Sequence, residues 1–130
     1  MPEDLIIPRS ENSPYVEFNL KWGFLTIKGN SFLIHPDKFY QPLNDLIEVY
    51  CLQPADITVI NIYLKYYNSA STRCIVSILK KLEYLTKKGK IVTVNWYYEP
   101  GDSDMQEEGE MMRDLVKLKF NLIEQANPLV

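Results

Sequence analysis

The residues best placed to do chemistry form one short polar run, Asn68-Ser69-Ala70-Ser71-Thr72. The run lies between an apolar segment typical of a buried strand and an amphipathic segment typical of a helix. In open α/β sheets, ligands and reacting groups collect at the carboxyl ends of strands. A phosphoryl group here would meet free N–H groups and the positive end of the helix dipole. The simpler alternative is that Ser69 or Ser71 only caps the helix, which contributes about 1 kcal/mol.

Other catalytic arrangements find little support in the sequence. His35 is the only histidine, which excludes sites that need two and leaves a Ser–His–Asp triad dependent on a residue in a predicted turn. None of the five glycines falls in a phosphate-binding loop pattern, and no nucleophile elbow is present. Cys51 and Cys74 lie in apolar surroundings and are expected to be buried, reduced thiols. We therefore expect a protein that is not an enzyme and needs no cofactor or metal.

An acidic segment covers residues 99–114 and contains one basic residue, Arg113. Its acids are Glu99, Asp102, Asp104, Glu107, Glu108, Glu110 and Asp114. Their spacing does not match the calcium-binding loop, which needs a glycine at its sixth position. Acids that favour a helix N-terminus, or that face a partner, explain the segment better than a metal site does.

Length and composition fit one folded domain spanning residues 1–130. The chain is 46% apolar and 12% aromatic, which argues against intrinsic disorder. Fourteen basic and 17 acidic residues give a net charge of −3, which argues against a nucleic-acid-binding protein. The sequence shows neither a signal peptide nor an apolar stretch long enough to span a membrane. We therefore expect a cytoplasmic protein.

Hydrophobic periodicity predicts the elements that position the polar run. Residues 1–14 contain three prolines and are expected to form an N-terminal arm. Alternating polarity predicts a hairpin of two strands over residues 15–20 and 24–28. An apolar stripe with a 3.6-residue period predicts a first helix that ends near Tyr50 and has Pro42 at its first regular position.

The second half of the chain alternates strands and helices. Apolar residues at both parities predict a central strand over residues 57–67, covered on both faces. A second helix follows and ends at Gly89. Strands over residues 91–98 and 117–124 flank a third helix, which a Ser103–Gln106 capping box begins. The order β-β-α-β-α-β-α-β predicts an α/β domain with a mixed sheet, because strand–helix–strand crossovers join parallel strands.

The ordered set of segments resembles the SiaC family of bacterial biofilm-regulation phosphoproteins over most of the chain. Four segments carry the resemblance: an opening hairpin, a first helix, a phosphorylation segment, and a tryptophan strand with its acidic loop. In this chain they are Ser13-Pro14-Tyr15-Val16-Glu17-Phe18 with Gly29-Asn30-Ser31, residues 39–50, Tyr66-Tyr67-Asn68-Ser69-Ala70-Ser71, and Val94-Asn95-Trp96-Tyr97-Tyr98 with Asp104-Met105 and Glu108-Gly109.

The resemblance implies a fold like the STAS domains of anti-sigma-factor antagonists and a role in partner switching. It implies that a serine/threonine protein kinase phosphorylates Ser69, with Ser71 and Thr72 as fallback acceptors, and that a PP2C-like phosphatase removes the phosphate. The unmodified form would bind and regulate a target such as a diguanylate cyclase, without binding nucleic acid or inserting into a membrane. The chain departs from the family's pattern at Ala70, where a hydroxyl residue is common. Ala70 leaves the acceptor, Ser69, in place, but it bears on which sequence around the acceptor the kinase would have to prefer.

The expected partner surface is the start of the second helix and comprises Asn68, Ser69, Ser71, Thr72 and Arg73. The side chain of Asn68 is expected to shape the turn before the helix. The alternative function is a small-ligand-binding module or minor α/β enzyme that uses the loop around Ser69 as a pocket. A deep cavity with convergent polar groups would favour that alternative, whereas a shallow and partly apolar surface would favour a phosphoprotein.

Overall fold

The computed structural model describes residues 3–128, in which six strands and three α-helices form one mixed sheet with its covering helices. The strands are β1 (Leu5–Ile7), β2 (Tyr15–Asn19), β3 (Phe24–Ser31), β4 (Ile57–Tyr67), β5 (Ile91–Tyr98) and β6 (Lys119–Glu124). The helices are α1 (Pro36–Tyr50), α2 (Ser69–Glu83) and α3 (Ser103–Leu115), and a short 3-10 helix over Tyr84–Lys88 extends α2. The predicted α/β fold with a mixed sheet is confirmed. The two ends of the predicted domain, residues 1–2 and 129–130, lie outside the described residues.

The strands follow one another across the sheet in chain order. The first three are antiparallel neighbours, which includes the predicted hairpin, whereas β3 to β6 are parallel. Right-handed crossovers that all step in one direction place α1, α2 and α3 on the same face of the sheet. On that face Tyr50 of α1 bonds Thr58 of β4, and Trp96 of β5 bonds a carbonyl oxygen of α3.

The core lies between the sheet and these helices. Along each strand, side chains of one parity are fully buried against the helices, including Val16, Phe18, Leu25, Ile27, Ile60, Ile62, Leu64, Val94 and Trp96. Helices α1 and α2 fill the other side of the core with Tyr40, Leu43, Ile47, Ile75, Ile78, Leu79 and Leu82. The opposite face, here called the open sheet face, carries the intervening residues of the strands. No helix of residues 3–128 is long and apolar enough to cross a membrane.

Two strand predictions need correction. The N-terminal arm contains strand β1, because the backbone of Leu5–Ile7 pairs with β2 even though prolines mark the surrounding segment. Strand β4 is not covered on both faces: Ile60 and Ile62 are fully buried, but Asn61 and Tyr63 between them are only half-buried. The apolar residues that alternate with the buried ones along β4 therefore lie on a half-exposed face of the sheet and are not covered by a second layer of helices.

The predicted start of the first helix is wrong. Helix α1 begins at Pro36, and Pro42 lies inside it on the exposed side. An internal proline removes one backbone hydrogen bond and disfavours the preceding turn. The preceding turn is nevertheless held by tertiary contacts, since Tyr40 is fully buried and its hydroxyl lies 2.8 Å from Oγ of Ser31.

Candidate phosphorylation and partner-binding site

The predicted polar run forms the start of α2, directly after the carboxyl end of β4. Asn68 is the N-cap residue, and its Oδ1 accepts a hydrogen bond from the backbone N–H of Ser71 at 3.0 Å. Its Nδ2 donates to the carbonyl oxygen of Leu33 at 2.9 Å. The expected role of Asn68 in the turn is confirmed, and the alternative in which Ser69 or Ser71 is the cap is wrong. A single asparagine thus joins the beginning of α2 to the segment after β3.

The three hydroxyl side chains of the run differ sharply in exposure. Ser69 is the first residue of α2 and is exposed. Ser71 is fully buried, and within the described part of the chain its Oγ has no hydrogen-bond partner. Thr72 is 7% exposed, and its Oγ1 donates to the carbonyl oxygen of Ser69 at 3.0 Å. Their burial opposes Ser71 and Thr72 as fallback acceptors, because a kinase must reach the hydroxyl oxygen.

The backbone and one cation create a positive environment at Ser69. The N–H groups in the first turn of a helix have no intrahelical acceptor, and the helix dipole adds to their partial positive charge. Arg73 follows one turn later, is exposed, and lies on the same side of α2 as Ser69 because residues four apart share a helix face. An anionic group on Ser69 would therefore lie close to a guanidinium and to backbone donors.

Ser69 lies at the lip of a groove of about 440 Å³ between α2 and α3, here called the α2–α3 groove. The groove is lined by Tyr67, Asn68, Ser69, Thr72, Arg73, Val76, Glu108, Met111, Met112 and Leu115. Its far wall is mostly apolar, and Met111 and Leu115 are 53% and 50% exposed. Flexible methionine side chains suit a surface that adapts to a partner. Sequence analysis missed this wall; exposed apolar residues on α3 are visible only once the helix is placed.

A second groove of about 610 Å³ adjoins the first and is strongly acidic. Five carboxylates line it: Glu99, Asp102, Asp104, Glu107 and Glu108. Tyr67 and Glu108 line both grooves. Partial burial, and then the neighbouring carboxylates, raise the pKa of Tyr67 to about 12. Among residues 3–128 no set of three or more histidine, cysteine, aspartate or glutamate side chains is arranged to hold a metal ion.

One of these acids also begins α3. Asp102 is the N-cap residue, and its Oδ1 accepts a hydrogen bond from the N–H of Met105 at 3.1 Å. The predicted cap, Ser103, is instead the first residue of the helix. An aspartate at this position accepts a hydrogen bond from a backbone N–H group, and its negative charge interacts favourably with the positive end of the helix dipole. The acidic segment therefore has a structural role in addition to its charge.

A third groove, of about 460 Å³, lies on the other side of α2 against the start of α1. Cys74 is only half-buried there, and its Sγ donates to Oδ1 of Asp37 at 3.3 Å. Partial burial, and then this hydrogen bond, raise the pKa of the Cys74 thiol to about 11. The thiol is therefore neutral at pH 7 and poorly suited to act as a nucleophile. Cys51 is also half-buried, so the prediction of two buried thiols is wrong in degree.

The fold and this site define a small α/β domain with an exposed serine, Ser69, beside surface grooves. The family model for the SiaC family regulatory phosphoprotein matches residues 7–125. The chain belongs to this family.

Known proteins similar to this chain come from Pseudomonas aeruginosa. An uncharacterised protein of strain UCBPP-PA14 is 23% identical over 117 residues, which cover 90% of this chain and 93% of that protein. The crystal structure of apo-SiaC aligns with a TM-score of 0.84 at 22% identity and covers 94% of this chain and 99% of its own. A chain of the crystal structure of diguanylate cyclase SiaD in complex with its activator SiaC aligns with a TM-score of 0.86 at 22% identity, covering 94% of this chain and all of its own.

Proposed function

We propose that this single-domain chain is a non-enzymatic, cytoplasmic regulator controlled by reversible phosphorylation of Ser69. A serine/threonine protein kinase adds the phosphate and a PP2C-like phosphatase removes it. The unmodified form binds and regulates a target such as a diguanylate cyclase. The observation that carries the proposal is the position of Ser69: among the three hydroxyls of the run it alone is exposed, and it lies at the lip of a partly apolar groove.

The proposed target-binding surface combines the start of α2 with the α2–α3 groove. Ser69 and Arg73 supply the polar side of this surface, and Met111 and Leu115 supply the apolar side. Such a pairing of a polar lip with an exposed apolar wall is typical of protein-binding surfaces. Ser71 and Thr72, which sequence analysis assigned to the same surface, contribute through the helix they help to build, because their side chains are buried.

Phosphorylation would change the charge of this lip. A phosphate adds about −1.5 to −2 charge and takes the net charge of the chain from −3 to about −5. Arg73 would attract it, whereas Glu108, which lines the same groove, would repel it. A change from 99% bound to 1% bound requires about 5.5 kcal/mol. Phosphorylation would weaken binding of the target, because a dianion at the lip must be desolvated and is repelled by acidic groups of the partner.

The surface around Ser69 gives less support to a ligand-binding module or minor enzyme. The spaces that flank Ser69 are surface grooves, and the groove that Ser69 itself lines has an apolar wall rather than convergent polar groups. Small-molecule sites instead bury most of the ligand in a pocket with a few precisely placed polar groups.

Mass spectrometry of the protein purified from its native host tests the acceptor assignment. Intact-mass and peptide spectra should show one phosphate on Ser69, and Ser69→Ala should abolish it. Ser77→Ala, which removes another exposed serine of α2, is the matched control and should leave the phosphate in place. A phosphate on any other residue, or none under several growth conditions, would refute the assignment.

Binding of the target tests the switch itself. Protein carrying genetically encoded phosphoserine at position 69 should bind the candidate cyclase at least about a hundredfold more weakly than unmodified protein, which corresponds to about 2.7 kcal/mol. Ser69→Ala should bind as the unmodified protein does. Equal binding of the phosphorylated and unmodified forms would refute the switch even if the acceptor is correct.

A further inference from the structure

The loop after β3 and the start of α2 lie side by side at one edge of the sheet. Strands β3 and β4 are parallel neighbours, so the segments that follow them leave the sheet at the same edge. Two hydrogen bonds join these segments: the backbone N–H of Asn68 donates to the carbonyl oxygen of Ser31 at 3.2 Å, and Asn68 Nδ2 donates to that of Leu33 at 2.9 Å. Ser69 is the next residue and is therefore close to residues 32–35, here called the β3–α1 loop.

The β3–α1 loop exposes two large apolar side chains. Phe32 is 58% exposed and Ile34 is 91% exposed. Ile34 lines the third groove, on the side of α2 that faces away from α3. Exposed apolar residues therefore lie on both sides of the start of α2, since the wall of the α2–α3 groove is also apolar. Apolar surface on two sides of one polar segment indicates an interface with another protein.

Ser69 and Arg73 form the ridge between these two apolar regions. Arg73 lines both the third groove and the α2–α3 groove, so it lies on the part of α2 that separates them. Ser69 is one helical turn earlier on the same side of α2. A protein that covers both apolar regions would therefore cover Ser69 at the centre of its contact.

The charge on the loop side of this ridge is positive, although the whole chain has a net charge of −3. Two bases, Lys38 and Arg73, and one acid, Asp37, line the third groove, and 2 minus 1 gives +1. Among residues 3–128 neither of these bases forms an ion pair. The positive end of the α2 dipole lies at the same place. This side of the ridge is therefore complementary to acidic groups of a partner.

From this arrangement we infer that the target docks across the start of α2, with Ile34 in an apolar pocket of the target and with Lys38 and Arg73 facing carboxylates of the target. The inference rests on the proposed function and specifies the chemistry of its partner surface. Ser69 is then enclosed by contacts on both sides. A phosphate on Ser69 would have to be desolvated there and would face the carboxylates of the target, so one modification acts on the centre of the interface.

Calorimetric titration of the purified full chain with the candidate cyclase of its native host tests the apolar contact. Ile34→Ser should weaken binding at least about tenfold, because it removes an anchor from the interface. Leu52→Ser is the matched control, since Leu52 is 79% exposed in the turn after α1 and away from Ser69. It should leave the affinity within about twofold of the wild-type value.

The same titration tests the charge complementarity. Lys38→Glu should weaken binding at least about tenfold at low salt, because it places like charges opposite one another. Salt screens exposed charges, so this loss should shrink in 0.5 M NaCl, at about a 4 Å screening length, whereas the loss for Ile34→Ser should persist. Lys87→Glu reverses an exposed lysine of the 3-10 helix and should leave the affinity within about twofold.

Photo-crosslinking shows whether the loop itself touches the target. A photo-reactive phenylalanine analogue in place of Ile34 should crosslink to the cyclase, and the same analogue in place of Leu52 should not. Circular dichroism should show that every variant is folded. Full affinity of Ile34→Ser, or no crosslink from position 34, would overturn the inference, and the proposed function would stand if phosphoserine at position 69 still weakened binding. An unmodified wild-type chain that does not bind the cyclase would overturn both.

Discussion

Helix α3 contacts the sheet where Gly109 meets Trp96: a Cβ atom added to this glycine would lie 2.5 Å from Cδ1 of the indole ring. The indole is fully buried, and its Nε1 donates to the carbonyl oxygen of Met105 at 2.9 Å. The same added Cβ would lie 2.6 Å from Leu122 of β6. Close approach, rather than turn formation, therefore explains a glycine inside a helix, and it fixes the distance between α3 and the sheet.

Gly109→Ala should destabilise the protein although alanine favours helices. Trp96 is fully buried, so the methyl group would overpack it and Leu122 at a cost of about 2–3 kcal/mol, in the upper part of the usual range for overpacking. The helix-propensity gain of about 1 kcal/mol offsets only part of this cost. Urea unfolding should show a net loss of about 1–2 kcal/mol. Glu107→Ala, at an exposed position of the same helix, should change stability by less than about 0.5 kcal/mol. An unchanged or higher stability of Gly109→Ala would show that α3 is not held this closely.

Asn68→Ala should remove both the cap of α2 and the link to Leu33. Loss of the cap costs about 0.5–2 kcal/mol, and loss of the bond to the Leu33 carbonyl adds about 1 kcal/mol. Asn68→Asp keeps an oxygen for the N–H of Ser71 but loses the donor to Leu33, so its destabilisation in urea unfolding should be smaller. Equal losses for the two variants would contradict the assignment of the cap.

Removal of the two adjacent buried hydroxyls, those of Ser71 and Thr72, should change the free energy of unfolding in opposite directions. Ser71→Ala deletes an oxygen that has no partner among the described residues, so its free energy of unfolding should stay the same or rise by up to about 1 kcal/mol. Thr72→Val deletes the donor to the Ser69 carbonyl oxygen and should lose about 1 kcal/mol. Thermal or urea unfolding of the pair measures both. A clear loss for Ser71→Ala would show that its hydroxyl has a partner.

The Cys74 thiol should become more reactive when its neighbouring carboxylate is neutralised. Burial makes the largest contribution to its raised pKa, and both the hydrogen bond to Asp37 and the charge of Asp37 raise it further. Asp37→Asn should therefore lower the pKa and speed alkylation by iodoacetamide at pH 8, without restoring the rate of an exposed thiol. Rates measured in a Cys51→Ala background isolate Cys74, and Lys38→Gln controls for a charge change at the next position. An unchanged rate would show that Asp37 does not influence the thiol.

Alkaline pH should lower the stability of the folded state, because folding raises the pKa values of Tyr67 and Cys74. Tyr67 and Cys74 have folded pKa values of about 12 and about 11, both above their ordinary values. The folded state therefore binds these protons more tightly than the unfolded state. The associated stability is present below pH 9 and is lost as the pH rises through 9 to 12. Urea unfolding of Tyr67→Phe should show a shallower decline between pH 10 and 12 than the wild-type protein.

Much of the fold follows from local patterns along the chain. The alternation of apolar and polar residues around Val16 and Phe18 is sufficient to predict the hairpin. The helices between the later strands are sufficient to predict that these strands are parallel. The start of α1 was not predictable in this way, because the contact of Tyr40 with Ser31 outweighs the local effect of Pro42. Strand β1 was missed for a similar reason, since its three residues gain order only by pairing with β2.

The candidate site was predictable in position but not in detail. The polar run after β4 is visible in the sequence, and the resemblance singled out Ser69 within it. Which hydroxyl is exposed depends on the rotation of α2 about its axis, and that rotation is set by the packing of residues such as Ile75 and Ile78. The wall formed by Met111 and Leu115 depends on how closely α3 approaches Trp96, which no local pattern encodes.

The order of strands across the sheet also bears on how the protein is made. Because every strand pairs with the strand before it, the sheet can grow from one edge to the other as the chain leaves the ribosome. Ser69 and the start of α2 precede α3 in the chain, so they are synthesised before it. The serine is therefore in place before the wall that faces it. The α2–α3 groove forms only once α3 has been synthesised, so a partner that needs this groove would not bind a nascent chain that stops short of α3.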